Sequence, residues 1–362
     1  MFKVYQQWDK LDTCVVGDVY RPEFFSFIKD KHTRKILETV ALETKEDLDQ
    51  LVKFLNDKDV KTIRPIMPTT RVHGEYLAPP LTPRDFMVMI DDKLRYPAIA
   101  NLHHAKAQYD KSKRDISWHD FVTKDSEIYQ AKLDCYQNVF NLARQNNTKV
   151  IGDDIDFMNS AFIIRLGKDL IVGTQTELDN KDEIREYFKQ DYPNKRIRIV
   201  DSEGHADCSM CPVAEGLLIS RYDMTEYQDS FPDWEVVCVD PDVHMYHDPF
   251  ATKLRTLDND WFIPGFERTK DLVDTVDHYF NNWIGTVSES TFMVNILMLD
   301  SKNAVCASDN EKVRKAMSRY GVELHVVPFR HKWFWDAGVH CVTQDINRLG
   351  DGPIDLFAKA RY

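Results

Sequence analysis

The feature that most constrains this chain is a unit that recurs along it. Ala161–Gly173, AFIIRLGKDLIVG, reads as two apolar strands around a Gly167-Lys168-Asp169 turn, with a helix expected at Asp182–Gln190 and a strand at Arg196–Val200. Asn295–Ser308, NILMLDSKNAVCAS, repeats the strand pair around a polar turn, and a helix at Glu311–Tyr320 and a strand at Glu323–Phe329 follow it in the same order. A weaker copy runs from Pro212 to Asp240, with its turn at Glu215-Gly216 and its last strand at Trp234–Val239. A strand-strand-helix-strand unit exposes apolar faces that only neighbouring copies can cover. The period is longer than that of common solenoids. With a handful of copies, closure into a ring leaves no unpaired end and brings the segments leaving each final strand to one central mouth. His205 follows Arg196–Val200, and Cys341 follows Glu323–Phe329.

That placement suggests chemistry. Cys341 lies in WDAGVHCVTQDINRLG, residues 335–350, behind a small, flexible Asp336-Ala337-Gly338 step. A thiolate attacks planar, electron-poor carbon once a nearby base or cation has activated it. His205, in EGHADC with Asp207 two residues on, is the best partner in the chain. The competing reading of any single cysteine is a small buried hydrophobe. His205, Cys208 and Cys211 also spell H-x-x-C-x-x-C, half of a zinc pattern. No second pair follows, and a strand would send Cys208 and Cys211 to opposite faces, so no metal is expected.

Elsewhere, Thr13–Asp18 reads as a strand, and a helix is expected to start at Thr44, with Leu48, Leu51, Val52 and Leu55 on one face. Val60–Pro65 and a Pro-rich loop lead to Pro83-Arg84-Asp85 before the apolar strand Phe86–Ile90. The bland reading of Arg84-Asp85 is a solvated loop ion pair. Residues 101–131 look irregular, with His103 and His104 at the surface, and Leu133–Gln145 reads as a helix before the acidic GDDIDFMNSAF. At 362 residues, with 43% hydrophobic and 29% charged, the chain can bury a core as one large closed α/β domain or as two domains. A formal charge of −12 excludes a general nucleic-acid binder and suits a cationic or zwitterionic small substrate. No signal-peptide pattern or membrane-length apolar run is present, which predicts a soluble, cytoplasmic protein, and seven scattered cysteines predict reduced thiols.

Three stretches, EGHADCSMCPVAEGLLISRYD, FMVNILMLDSKNAV and GVHCVTQDINRLG, together with the earlier TPRDFMVMID, resemble the amidinotransferases, most closely the glycine amidinotransferase branch of the guanidino-group modifying (pentein) superfamily. The resemblance covers about 350 residues and is strong from Gly152 onward. It implies a single domain over residues 1–362 with an α/β pentein fold, a five-bladed propeller of ββαβ modules around a pseudo-fivefold axis. It also implies transfer of an amidino group from a guanidino donor, arginine or an analogue, to a glycine-like amine through an amidino-cysteine, with no cofactor. The partners implied are those small molecules only, with no nucleic acid or membrane, and a homodimer is allowed.

By position, Cys341 is the implied nucleophile and His205 the general acid and base, while Asp207 and Asp85 hold the guanidinium as carboxylates suited to a planar cation. Arg330 and Asp345 keep family positions. The acidic residue beside the family's histidine falls on Asn159 here, with Asp156 as the alternative carboxylate. The family's donor-binding arginine falls on Met224, with Arg221 three residues earlier. Hydrolysis of the guanidino group by water, and guanidino binding without turnover, are the alternative functions. Trp333-Phe334-Trp335 is either core packing or a substrate-facing wall that holds a cation over its rings.

Overall fold

The structure, a computed structural model, describes residues 1–68, 71–98, 118–153, 160–174, 181–202, 205–221, 227–239, 261–280, 283–284 and 292–358. Asn159, Asp156, His103, His104 and Met224 lie outside the described residues.

Among the described residues the strands form five three-stranded sheets of one design and a short hairpin. In sheet order they are Lys10–Val16 (β1) and Lys61–Ile63 (β2) with the C-terminal Thr343–Leu349 (β17); Val88–Ile90 (β5), Lys93–Pro97 (β6) and Lys149–Asp153 (β7); Ile163–Leu166 (β8), Asp169–Thr174 (β9) and Arg196–Asp201 (β10); Met210–Ala214 (β11), Leu217–Ser220 (β12) and Glu235–Cys238 (β13); and Leu297–Met298 (β14), Asn303–Cys306 (β15) and Glu323–Val326 (β16). Arg71–Val72 (β3) and Glu75–Tyr76 (β4) make the hairpin. In each three-stranded sheet the middle strand pairs antiparallel with one neighbour and parallel with the strand that returns after a crossover. A parallel return needs such a crossover, and the helices supply it.

The three repeats expected from the sequence are all present. Gly167 makes the β8–β9 turn at φ +62°, and a Cβ there would come within 2.9 Å of the Ile354 backbone nitrogen, so the turn accepts only glycine. Two further units were not assembled from the sequence. One is β5–β6–β7. The other is split between the chain ends, because β17 takes the position of its first strand and pairs antiparallel with β1. Both ends of the chain therefore close on one sheet.

The helix expected to begin at Thr44 in fact spans Lys31–Asp57 (α1). Asp30 caps it by accepting from the Thr33 N–H at 2.7 Å, and Ile36, Leu37, Val40 and Ala41 extend the buried stripe of Leu48, Leu51 and Leu55 back by several turns. Thr44 is a buried mid-helix residue. Of the stretch 101–131, read as irregular, residues 101–117 lie outside the described residues and the rest is corrected: a helix covers Trp118–Asp134, and a break at Cys135-Tyr136 separates it from Gln137–Gln145, so Leu133–Gln145 is not one helix. Among its residues of described burial, Ile128 and Leu133 are buried apolar positions. Pro83–Phe86 is a helical turn, and the strand starts only at Val88. All seven cysteines are free thiols. Among the described residues no helix is long and apolar enough to cross a membrane.

Candidate active site

Cys341 and His205 leave different sheets and meet at a cavity of about 170 Å³. Asp85, Asp336, Trp283 and Trp335 line it with them. The His205 Nδ1 lies 3.8 Å from Asp85 Oδ1, and its ring meets Phe162 edge-on at 5.5 Å. His205 precedes a helical turn, Ala206–Ser209, rather than standing on a strand, and this turn carries Asp207 and Cys208 inward. Asp207 is buried and does not line the cavity. It lies 3.8 Å from Cys341 Sγ and accepts a 2.7 Å hydrogen bond from His340 Nδ1.

The electrostatics of this floor are set by burial and by Arg84. Burial alone would raise the Asp207 carboxyl, but the hydrogen bond from His340, with the nearby His205 and Arg84, outweighs it and holds it below the usual carboxylate range. Burial and the Arg84 charge push His340 down to about 4, so near neutral pH it is an uncharged imidazole donating from Nδ1. Arg84 is itself buried. Its Nε donates to the carbonyls of His340 and Thr343 at 3.3 and 3.2 Å, and its Nη2 pairs with Asp345 at 3.1 Å. The solvated loop ion pair between Arg84 and Asp85 is thereby overturned: one residue of the pair ties down the cysteine loop and the other lines the cavity.

Asn295 was read only as part of a strand motif, yet it holds the thiol on two sides. Its Oδ1 accepts from the Cys341 N–H at 3.0 Å, and its Nδ2 lies 3.0 Å from Cys341 Sγ and 3.2 Å from Cys208 Sγ. Gly338 makes room for it, since a Cβ at 338 would sit 2.8 Å from Asn295 Cβ and Cγ. Gly338→Ala should therefore displace the Asn295 clamp, costing about 1–3 kcal/mol in stability and lowering kcat. Thermal unfolding and steady-state kinetics both unchanged would rule the clamp out. Nothing in FMVNILMLD alone signals this role, because it depends on the approach of the 336–343 loop.

The other sequence-derived site residues divide. Arg330 is not at the cavity: its N–H and Nε bind Asp47 at 2.7 and 2.8 Å, and Nη2 reaches Glu46 at 2.8 Å, tying it to α1. Arg221 hydrogen-bonds through its backbone to Ser209 and is not among the lining residues. Asp345 is fully buried among Arg84, Arg165 and Arg348. The aromatic triplet serves both ends: Trp335 lines the cavity with its Nε1 donating to Thr44 Oγ1, Phe334 is core, and Trp333 stacks on Phe262.

No protein-family model matches the chain. An L-arginine:L-lysine amidinotransferase of Pseudomonas savastanoi pv. phaseolicola is 22% identical, the match covering 96% of this chain and 94% of that protein. Among solved structures, SxtG, an amidinotransferase from Microseira wollei in the saxitoxin biosynthetic pathway, superposes with a TM-score of 0.63 at 15% identity, over 98% of this chain and 99% of that one. The inosamine-phosphate amidinotransferase StrB1 from Streptomyces griseus gives 0.61 at 14% identity, over 97% and 98%. A dimethylarginine dimethylaminohydrolase gives 0.52 at 9% identity, over 92% and 99%. The chain thus shares its fold with these amidinotransferase structures over nearly its whole length, and its sequence is similar along nearly its whole length to an amidinotransferase.

Proposed function

We propose that the protein transfers an amidino group from arginine or a close analogue to a primary amine such as glycine or lysine, through a covalent amidino-cysteine at Cys341. The observation that carries this reading is the convergence of Cys341, His205 and Asp85, from three distant chain segments, on one cavity. The Cys341 sulfur attacks the guanidinium carbon, and the bond from that carbon to the donor's alkyl nitrogen breaks as His205 protonates the leaving amine. The acceptor amine then gives a proton to His205 and attacks the same carbon, and the C–S bond breaks to restore the thiolate. Asp85 and Asp207 offset the positive charge of the guanidinium, and Asp85, 3.8 Å from the imidazole, also steadies the imidazolium. Trp335 and Trp283, ring centroids 6.1 Å apart, give the cation an aromatic wall. One domain over residues 1–362, with its five units about a common pseudo-fivefold axis, accounts for the meeting of strand exits. The similarity in sequence along nearly its whole length to an L-arginine:L-lysine amidinotransferase supports transfer over hydrolysis.

The test is incubation with arginine, alone or with glycine or lysine, followed by mass spectrometry. Guanidinoacetate or homoarginine is expected only when the matching acceptor is present. Citrulline formed without an acceptor would overturn transfer in favour of hydrolysis.

A further inference from the structure

The sulfur of Cys341 has a neighbour that the proposed reaction does not use. Cys208 Sγ lies 3.7 Å from Cys341 Sγ and 3.6 Å from Asp207 Oδ1, while Asp207 Oδ2 lies 3.8 Å from Cys341 Sγ. The three ligand atoms fall within 4.8 Å of one another, and all three residues are buried. A tetrahedral Zn²⁺ with Zn–S near 2.3 Å and Zn–O near 2.0 Å has S–S edges of about 3.8 Å and S–O edges of about 3.5 Å. The S–S separation matches an edge of that tetrahedron, and Asp207 turns one carboxylate oxygen towards each sulfur, at 3.6 and 3.8 Å, so a small rotation of the carboxylate brings one oxygen to the third corner. Cys211, the other half of the sequence pattern, is elsewhere, its Sγ beside the Ile296 carbonyl at 3.6 Å.

The surroundings are also those of a ligand set. Asn295 Nδ2 reaches both sulfurs, at 3.0 and 3.2 Å, and so can hydrogen-bond two thiolates at once. His340 holds the carboxylate through Nδ1 at 2.7 Å, fixing its orientation. Cys341 lines the cavity, leaving the fourth position for a solvent ligand from that side.

We propose that Cys208, Cys341 and Asp207 form a Zn²⁺ site that takes the nucleophile out of action reversibly. Binding replaces one proton on each thiol, two protons leave to solvent, Asp207 binds as the carboxylate, and no atom changes oxidation state. Two thiolates with one carboxylate favour zinc over the hard cations magnesium and calcium. The binding stands independently of the proposed function; only the inhibition rests on it.

The full-length protein, reduced and stripped with a chelator, is titrated with Zn²⁺ against a chromophoric competitor, and with Co²⁺ as a spectroscopic probe. One ion per chain is expected, with a thiolate-to-Co²⁺ charge-transfer band. Cys208→Ser, nearly isosteric, should weaken binding by roughly 100-fold or more and remove about half of that band. Zinc should suppress wild-type turnover until chelator is added, and suppress Cys208→Ser far less relative to its own metal-free rate. Absence of a stoichiometric ion, a cobalt form without the thiolate band, or unchanged zinc affinity in Cys208→Ser would each overturn the site. If zinc binds as described but no amine accepts an amidino group, the site stands and the transfer reading alone fails.

Discussion

Cys341→Ala is expected to lower amidino transfer by at least about 10⁴-fold, some 5 kcal/mol of transition-state stabilisation, while leaving the fold intact. The side chain is small, and its packing contribution is of the order of 1 kcal/mol, so circular dichroism and thermal unfolding should move little. The informative comparison is with the second thiol. Cys208 Sγ is only 3.7 Å away, and a protein with either sulfur as nucleophile would look much the same in sequence. The cavity separates the two, because Cys341 lines it and Cys208 does not. Mass spectrometry of acid-quenched protein with arginine should therefore find one added amidino group in the wild type and in Cys208→Ser, and none in Cys341→Ala. An adduct persisting in Cys341→Ala, or turnover within tenfold of wild type, would remove Cys341 from the chemistry.

What the sequence made visible follows the length scale of each interaction. The units at 161–201 and 295–326 are legible because each packs two apolar runs around a short polar turn and returns through a compact helix. The β5–β6–β7 unit hides its periodicity in the long crossover between Pro97 and Lys149. The β17–β1–β2 unit has its first strand at the opposite end of the chain, where no local pattern can reveal it. In the site, Cys341, His205 and Asp85 carry recognisable motifs, and the structure gathers them. Arg330 keeps a family position yet is satisfied by Asp47 and Glu46 of α1, a partnership fixed by tertiary packing. Asn295 and His340 matter for the same reason, through contacts that sequence neighbours do not encode: Asn295 with Cys341, and His340, within the cysteine loop, with Asp207.

The largest stability effect is expected at Asp345, which does not line the cavity at Cys341. Its carboxylate is fully buried and pairs with Arg84 at 3.1 Å, Arg165 at 2.9 Å and Arg348 at 2.6 Å, all three guanidinium groups being buried as well. These arginines come from the turn before β5, from β8 and from β17, so one charge joins three of the five sheets to the cysteine loop. Asp345→Asn would leave three buried cations around a neutral amide, and removing one partner of a buried pair typically costs about 3–5 kcal/mol. That is a large part of the roughly 5–15 kcal/mol that holds most domains folded, and it should lower Tm by roughly 4–7 °C. The pH dependence has a definite sign. Burial raises the Asp345 carboxyl, but the three arginines outweigh it and hold it well below the usual value near 3.8, so the unfolded chain takes up this proton first. Its contribution is complete above that value and is lost as pH falls through the lower, folded-state pKa. His340 acts earlier and in the same direction: its folded-state value near 4 lies below 6.5, so the unfolded chain binds more protons between those values and stability declines as pH drops from 6.5 towards 4. Chemical denaturation across this range should show wild-type stability falling in two stages. In Asp345→Asn the His340 stage should remain and the stage below 3.8 should be reduced, while a variant as stable as wild type at neutral pH would show that the three arginines find other partners.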